Sequence, residues 1–234
     1  EKLDFVNFDY VVIAIGGHSL YNLIPQHKII PPKPALTGLK TTDKYPQGVS
    51  LKNVKALNFC DDLIFTHEGL SGPLIYKISS INARCDFPYK ISLDLCENFD
   101  LQSQLNKNSK KDIKNLLSEY IPKSLAEYIL QKSVISPETK CYMINKEMRE
   151  CILKFLHKFE VTVVGPASGM EVVTSGGVCL DEVNPKTMQS KLNKQLYFCG
   201  EVLDIDGFCG GFNLQNCWST AYMVFQGIKS DCKN

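Results

Sequence analysis

The sequence predicts a mixed α/β fold, with a buried, parallel-type strand near each end and short strands followed by amphipathic helices between them. Three observations carry this. Residues Phe8 to Ile15 form a β-branched apolar run that ends in Gly16-Gly17, the pattern of a strand buried on both faces inside a parallel sheet. Gln195 to Cys199 repeats that pattern near the other end and leads into Gly200-Glu201. Between them, short β-like runs give way to Lys-, Asn- and Gln-rich sequence with apolar residues at helical spacing.

The 234 residues suit one or two domains with a sizeable core. Lys and Arg number 26 against 25 Asp and Glu, a net charge of +1. That balance lacks the basic excess by which nucleic-acid binders displace counterions, so no nucleic-acid partner is expected. No apolar run approaches the ~20 residues of a membrane span, and the N-terminus lacks the order of a signal peptide. A cytoplasmic chain without a membrane contact is the expectation. None of the ten cysteines forms a C-x-x-C pair, which removes the usual zinc and dithiol patterns and leaves no metal site. Small, buried, reduced thiols are expected instead.

The elements follow in order. Gly16-Gly17 let backbone or a ligand approach the end of the first strand without a Cβ in the way; a plain strand and turn fits as well. Ile30-Pro31-Pro32-Lys33-Pro34-Ala35 reads as an extended connector and a domain boundary. Val54 to Phe59, Leu63 to Thr66 and Tyr89 to Leu95 read as short strands. Thr66 to Pro73 is a turn into a helix capped by Ser71, with Pro73 in its first turn and a stripe of Leu74, Ile75, Ile78 and Ile81. Residues 101–159 predict three amphipathic helices, around Ile113 to Tyr120, Leu125 to Leu130 and Cys151 to Phe159. The Lys107 to Lys114 run reads as a solvated face. The β pattern returns at Val161 to Val164 and Glu171 to Thr174.

The last stretch carries the chemistry. After Gly200-Glu201, residues Asp204 to Gln215 lead into a helix bearing Leu214, Trp218, Ala221, Tyr222 and Phe225, whose aromatics read as core. Ligands of open α/β sheets bind beyond the carboxyl ends of the strands. A helix start offers free N–H groups and a positive dipole end, and Gly210-Gly211 would leave them bare. Glu201 is placed to accept hydrogen bonds from ligand hydroxyls such as those of a ribityl chain. The helix start suits the N1–C2=O edge of a reduced flavin. The plainer alternative is a strand, a Gly-rich loop and an ordinary core helix.

Five motifs occur together: Phe65-Thr66-His67-Glu68-Gly69-Leu70-Ser71-Gly72-Pro73, Val173-Thr174-Ser175-Gly176-Gly177-Val178, Glu182 to Met188, Cys199 to Gly207, and Gly210-Gly211-Phe212-Asn213-Leu214-Gln215. In this order the chain resembles the bacterial BaiN-type FAD-dependent oxidoreductases, also called aminoacetone-oxidase-like flavoproteins. The resemblance implies a glutathione-reductase-like FAD/NAD(P)-binding Rossmann domain, represented by residues 1–35 and 176–234. A β-barrel insert would occupy 36–100 and 160–175 and carry the helical subdomain 101–159. It further implies FAD as cofactor, with NAD(P)H as an electron donor. Gly16 and Gly17 would form a nucleotide-contacting turn, Gly200 and Glu201 would meet the ribityl or pyrophosphate region, and Gly210, Gly211, Phe212, Asn213, Leu214 and Gln215 would line the isoalloxazine. Thr174, Gly176 and Gly177 would approach from the insert side, and Asp206 joins the cofactor-binding set.

Two departures accompany the agreements. No G-x-G-x-x-G occurs in the sequence, although this turn holds the pyrophosphate in such folds. The family's Gly-Ser-Thr-Gly-Asp-Gly-type stretch is also missing between Gly17 and Pro31. The expectation is therefore an N-terminally truncated, internally shortened oxidoreductase of a small-molecule substrate, complete only when joined to the missing N-terminal segment of the same protein. A degenerate fragment that no longer holds flavin and a non-catalytic protein-binding module are the alternatives. His18, His27, His67 and His157 lack any acid–base pairing that would mark a catalytic residue, and the substrate and electron acceptor stay open.

Overall fold

The computed structural model describes residues 7–17, 21–169 and 173–232. The strands among the described residues are β1 (Val11–Ile13), β2 (Ile29–Ala35), β3 (Leu39–Thr41), β4 (Val49–Ala56), β5 (Phe59–Phe65), β6 (Gly69–Ser71), β7 (Tyr89–Leu93), β8 (Phe159–Pro166), β9 (Val173–Val178) and β10 (Leu196–Phe198). The α-helices among them are α1 (Pro73–Ile81), α2 (Leu101–Lys107), α3 (Ile113–Leu117), α4 (Lys123–Lys132), α5 (Lys146–His157) and α6 (Phe212–Asp231). The chain divides into two compact units, residues 1–36 with 171–234, and residues 37–170. No helix among the described residues is long and apolar enough to cross a membrane.

In the first unit, β1 and β10 pair in parallel, with Val11, Val12 and Ile13 opposite Leu196, Tyr197 and Phe198. β10 is buried throughout, as its pattern predicts. β1 is a correction to the expected double-sided burial: Val11 and Val12 are about two-fifths exposed, because among the described residues β1 pairs on one edge only. The proline stretch is a second correction. It is extended, but it is a ladder strand rather than a free connector, antiparallel to β9, with a register slip between Ile30 and Lys33. Pro31 and Pro32 have no N–H to donate, so the ladder skips them.

Helix α6 differs from its expected packing too. Thr220, Val224 and Gly227 form its buried face, and a Cβ at Gly227 would sit 3.0 Å from Thr187 and 3.1 Å from the Tyr197 ring. Leu214, Trp218, Tyr222 and Phe225 lie on the opposite side and are exposed. The helix is apolar on two faces, and the smaller residues take the face that approaches β10. Its last turn is tied down by Asp231, which accepts from Tyr197 Oη at 2.6 Å and from Gln189 Nε2 at 3.0 Å.

His27 joins the start of β2 to the loop before β10. Ser190 Oγ accepts from the Leu192 and Asn193 N–H groups at 3.0 and 2.9 Å and lies 2.8 Å from His27 Nε2. With both lone pairs used, the hydroxyl donates to the ring, which is therefore neutral. Burial pushes the His27 pKa down, against a smaller opposing pull from Glu182. An unfolded histidine takes up its proton first as pH falls, so this part of the stability is present above about pH 6.5 and is lost as pH falls toward the lower folded value. Thermal melting between pH 7.5 and 5.5 should show a steeper acid-side decline for the native chain than for His27→Gln.

The second unit is built on a six-stranded antiparallel sheet in the order β4-β5-β6-β3-β8-β7. It curls until its outer strands meet at a two-bond bridge between Lys55 and Asp94, at 3.0 and 2.8 Å. β4 and β5 form one hairpin whose turn, with Leu57 at φ 53°, replaces the single strand expected over Val54 to Phe59. The helix cap is Gly72 rather than Ser71, which is buried in β6. Four helices stand where three are expected. α2 was hidden because only Leu101 and Leu105 mark its buried side, and Asp100 caps it through the Ser103 N–H at 3.1 Å. Phe159 opens β8 instead of closing α5.

Tyr45 seals the join between sheet and helices, its ring 5.3, 5.7 and 5.5 Å from those of Phe65, Tyr128 and Phe159. Phe65 is fully buried in this cluster. Phe65→Ala should cost about 3–5 kcal/mol in denaturant unfolding, the range for an aromatic removed from a closed core.

Candidate functional site

Parallel pairing sets the site. Because β1 and β10 run the same way, the turn at Gly16-Gly17 and the 3-10 turn at Gly200–Val202 emerge at the same end. Their backbones are joined there by the Cys199 N–H donating to Ile13 O at 3.1 Å. Glu201 reaches from the second turn to β9, where its Oε1 accepts from the Thr174 N–H at 2.7 Å. Gly17 completes the cluster: a Cβ there would lie 2.6 Å from Thr174 Cβ and 3.1 Å from Glu201 Oε1. Tyr21 donates from Oη to Gly17 O at 3.2 Å. Burial, and then the Glu201 and Asp204 carboxylates, raise its pKa.

The second wall is the start of α6. Gly211 is its N-cap in the left-handed region at φ 87°, without a side-chain cap, and open space surrounds the position of a Cβ. Gly210, at φ 134°, precedes it. Asn213 folds back to hold the loop, donating from Nδ2 to Gly207 O at 2.8 Å and accepting from Gly207 N–H at 2.8 Å. Gly200 is fixed from below by its N–H donating to the buried Thr220 Oγ at 2.9 Å.

Glu201, Gly210, Gly211, Asn213 and Leu214 line one cavity of about 320 Å³. The other wall residues include Leu36, Val173, Ile205, Phe208, Cys209, Asn216 and Cys217. Sequence reasoning missed these. Leu36 and Val173 meet only through the β2–β9 register, which has no local signal. Cys217 was discoverable, since it follows Asn213 by one helical turn.

Other candidate residues lie elsewhere. Gly16, Gly17, Thr174 and Gly200 are not among the lining residues, although Gly17 and Thr174 adjoin Glu201. Gly176 and Gly177 are buried in β9, where added Cβ atoms would lie 2.7 Å from Pro31 O and 2.4 Å from Val202 O. Backbone approach is the reason for glycine at both. Phe212 is exposed and Gln215 donates to Ser219 Oγ at 3.0 Å. Asp206 lies in the loop between Glu201 and Gly211 without lining the cavity. His18 lies outside the described residues. Cys199 is buried, and that burial raises its thiol pKa. All ten cysteines are free.

A family model for the HI0933-like protein barrel and H2TH domain matches residues 33–171, more than half of the chain. The chain belongs to the HI0933-like family. That family is related to the BaiN-type flavoprotein oxidoreductases, and the curled sheet with its helices is the part of the chain that its model covers. A ribosomal RNA dihydrouridine synthase of Haemophilus influenzae is 32% identical over 237 residues, covering 91% of this chain and 58% of that protein. The protein of the same name in Escherichia coli is 33% identical over 175 residues, covering 73% and 43%. A 3-dehydro-bile acid delta(4,6)-reductase of Clostridium scindens is 25% identical over 251 residues, covering 92% and 61%. The chain thus spans less than two thirds of the length of each of these relatives.

The two kinds of glycine should separate on substitution. Gly177→Ala, with positive φ and backbone in the way, should cost more than the ~1–3 kcal/mol of backbone strain alone. Gly211→Ala meets open space and should cost about 1 kcal/mol. Thermal melting of the two variants, side by side, checks this.

Proposed function

We propose that the chain is the part of an FAD-dependent reductase that holds the flavin ring and adds two hydrogens across a carbon–carbon double bond conjugated to a carbonyl, with uridine of ribosomal RNA as the substrate. One observation carries the reading: Glu201 and the bare Gly210-Gly211 amides share a single cavity at the carboxyl end of a parallel strand pair. The names of the relatives add the chemistry. Dihydrouridine forms from uridine by saturation of a double bond conjugated to a ring carbonyl. Delta(4,6) reduction of a 3-oxo steroid removes double bonds conjugated in the same way. Both substrates accept hydride at the carbon remote from the carbonyl.

The residues fit the ring end of FAD. About 320 Å³ lies at the small end of ligand pockets, enough for a ring system and too little for a whole dinucleotide. Bound FAD, reduced by NAD(P)H, would supply the hydride. The α6 start directs its free N–H groups and positive dipole end at the cavity, favouring negative charge there. Glu201, with Oε1 held by Thr174, has acceptor capacity left for ligand hydroxyls. Leu36, Val173, Ile205 and Leu214 supply an apolar wall. In this reading the first unit belongs to a Rossmann domain and the second unit is its insert.

A second reading, in which further polypeptide completes the flavin site, is favoured by the exposed Trp218, Tyr222 and Phe225 stripe and by the open face of β1. FAD titration of the 234-residue chain separates the two. Visible flavin absorbance and a raised melting temperature are expected for the first, because a ligand that binds only the native state stabilises it. Glu201→Gln should weaken FAD binding about tenfold or more, the cost of exchanging charge-assisted hydrogen bonds for neutral ones. The FAD-loaded chain with NAD(P)H should convert uridine in a ribosomal RNA fragment to dihydrouridine, read by mass spectrometry. A chain that binds FAD but leaves both the RNA and a conjugated enone unreduced sinks the reductase reading.

A further inference from the structure

We propose that the helical part of the second unit is an RNA-binding surface, centred on the groove between α2 and the 3-10 turn Cys141–Met143; this rests on the reading of the substrate as a base in ribosomal RNA. Residues 101–159 hold eleven Lys and Arg against six Asp and Glu, while the rest of the chain holds 15 against 19. The near-zero total conceals a segregation of charge, and a polyanion responds to the local excess.

Five of those cations are paired: Lys111 with Glu119, Lys114 with Glu127, Lys132 with Asp43, Lys140 with Asp112 and Lys146 with Glu150. Arg149 donates to Gln102. Lys107 and Lys110 are exposed and have no carboxylate partner among the described residues. They flank Asn106 and Ser109, which line a groove of about 370 Å³ together with Gln102 and Tyr142. Two backbone bonds fix the loop carrying Lys110 against the turn carrying Tyr142: Cys141 N–H to Lys111 O at 2.9 Å and Tyr142 N–H to Ser109 O at 3.0 Å. The backbone segments that carry Lys110 and Tyr142 are therefore held side by side.

Tyr142 is 68% exposed and its neighbour Met143 56%. An exposed ring beside unpaired lysines and amide donors is the combination that takes a nucleotide: the ring stacks a base, the lysines meet phosphates, and Asn, Gln and Ser reach phosphate or 2′-hydroxyl oxygens. The acidic groups nearest in sequence are largely occupied, Asp112 by Lys140 and Glu119 by Lys111 at 2.6 Å each; Glu147 remains exposed at the start of α5.

Fluorescence anisotropy of a labelled, uridine-containing single-stranded RNA over a salt series tests this on the full chain. Affinity should fall with salt, and the Lys107→Glu/Lys110→Glu double variant should bind about tenfold or more weaker at ~0.1 M salt with a slope reduced by about one to two. Tyr142→Ala should lose about fivefold or more with the slope unchanged. All three side chains are exposed, and matched melting temperatures confirm folding. Absence of salt-dependent RNA binding overturns the inference, as does indifference to both variants. Equal binding of polyglutamate also overturns it, marking an acidic protein as the partner. FAD absorbance is followed in the same samples: a chain that holds flavin but ignores RNA defeats this inference and leaves the reductase chemistry standing. RNA binding without flavin leaves this inference standing and selects the reading in which further polypeptide completes the flavin site.

Discussion

Parallel pairing of β1 with β10 is the constraint on which the candidate site depends. The two strands lie nearly two hundred residues apart, and only a parallel register brings the turns that follow them to one end. An antiparallel pair would send Gly16-Gly17 and Gly200-Glu201 to opposite ends and leave Glu201 without Thr174. The carboxylate then adds its own constraint. Its charge-assisted bond to the Thr174 N–H fastens β9 to the end of β10. Gly17 is glycine because that joint leaves no room for a side chain. The cavity is therefore a consequence of strand order, and α6 closes it.

Much of this was legible in the sequence for a physical reason. Buried strands must be apolar, and a backbone that approaches another backbone must be glycine, so both leave marks in composition. Tyr197 and Phe198 were readable as core, and Gly210-Gly211 as the start of a helix. Which partner each glycine faces was not legible. Gly176 and Gly177 carry the same signature as Gly211, yet they face the carbonyls of Pro31 and Val202 rather than a cavity. Sequence records that a Cβ is forbidden and is silent about what forbids it.

The same limit explains α6. Trp218, Tyr222 and Phe225 are large and apolar, and helical spacing alone assigns them to a core. The structure packs Val224 and Gly227 inward instead, since a close approach to Tyr197 at β10 needs small residues. Helix α2 failed for the opposite reason. Its seven residues bury one leucine pair, and its clearest signal is the Asp100 cap, a polar contact that no hydrophobic period reveals.

Charge shows how an average can mislead about function. A net +1 argues against a polyanion partner only if charge is spread evenly, and here the helical segment is basic while the remainder is acidic. The proposed chemistry makes that distribution consequential. Hydride addition to a carbon conjugated to a carbonyl asks the same of a flavin site whether the substrate is a nucleobase or a steroid: a place for negative charge and an apolar wall. Such a cavity discriminates little between them, because the reacting bond is common to both. Selection of RNA must then come from surface beyond the cavity, where phosphates and unstacked bases can be recognised, and the groove beside Lys107, Lys110 and Tyr142 has the chemistry that this selection requires.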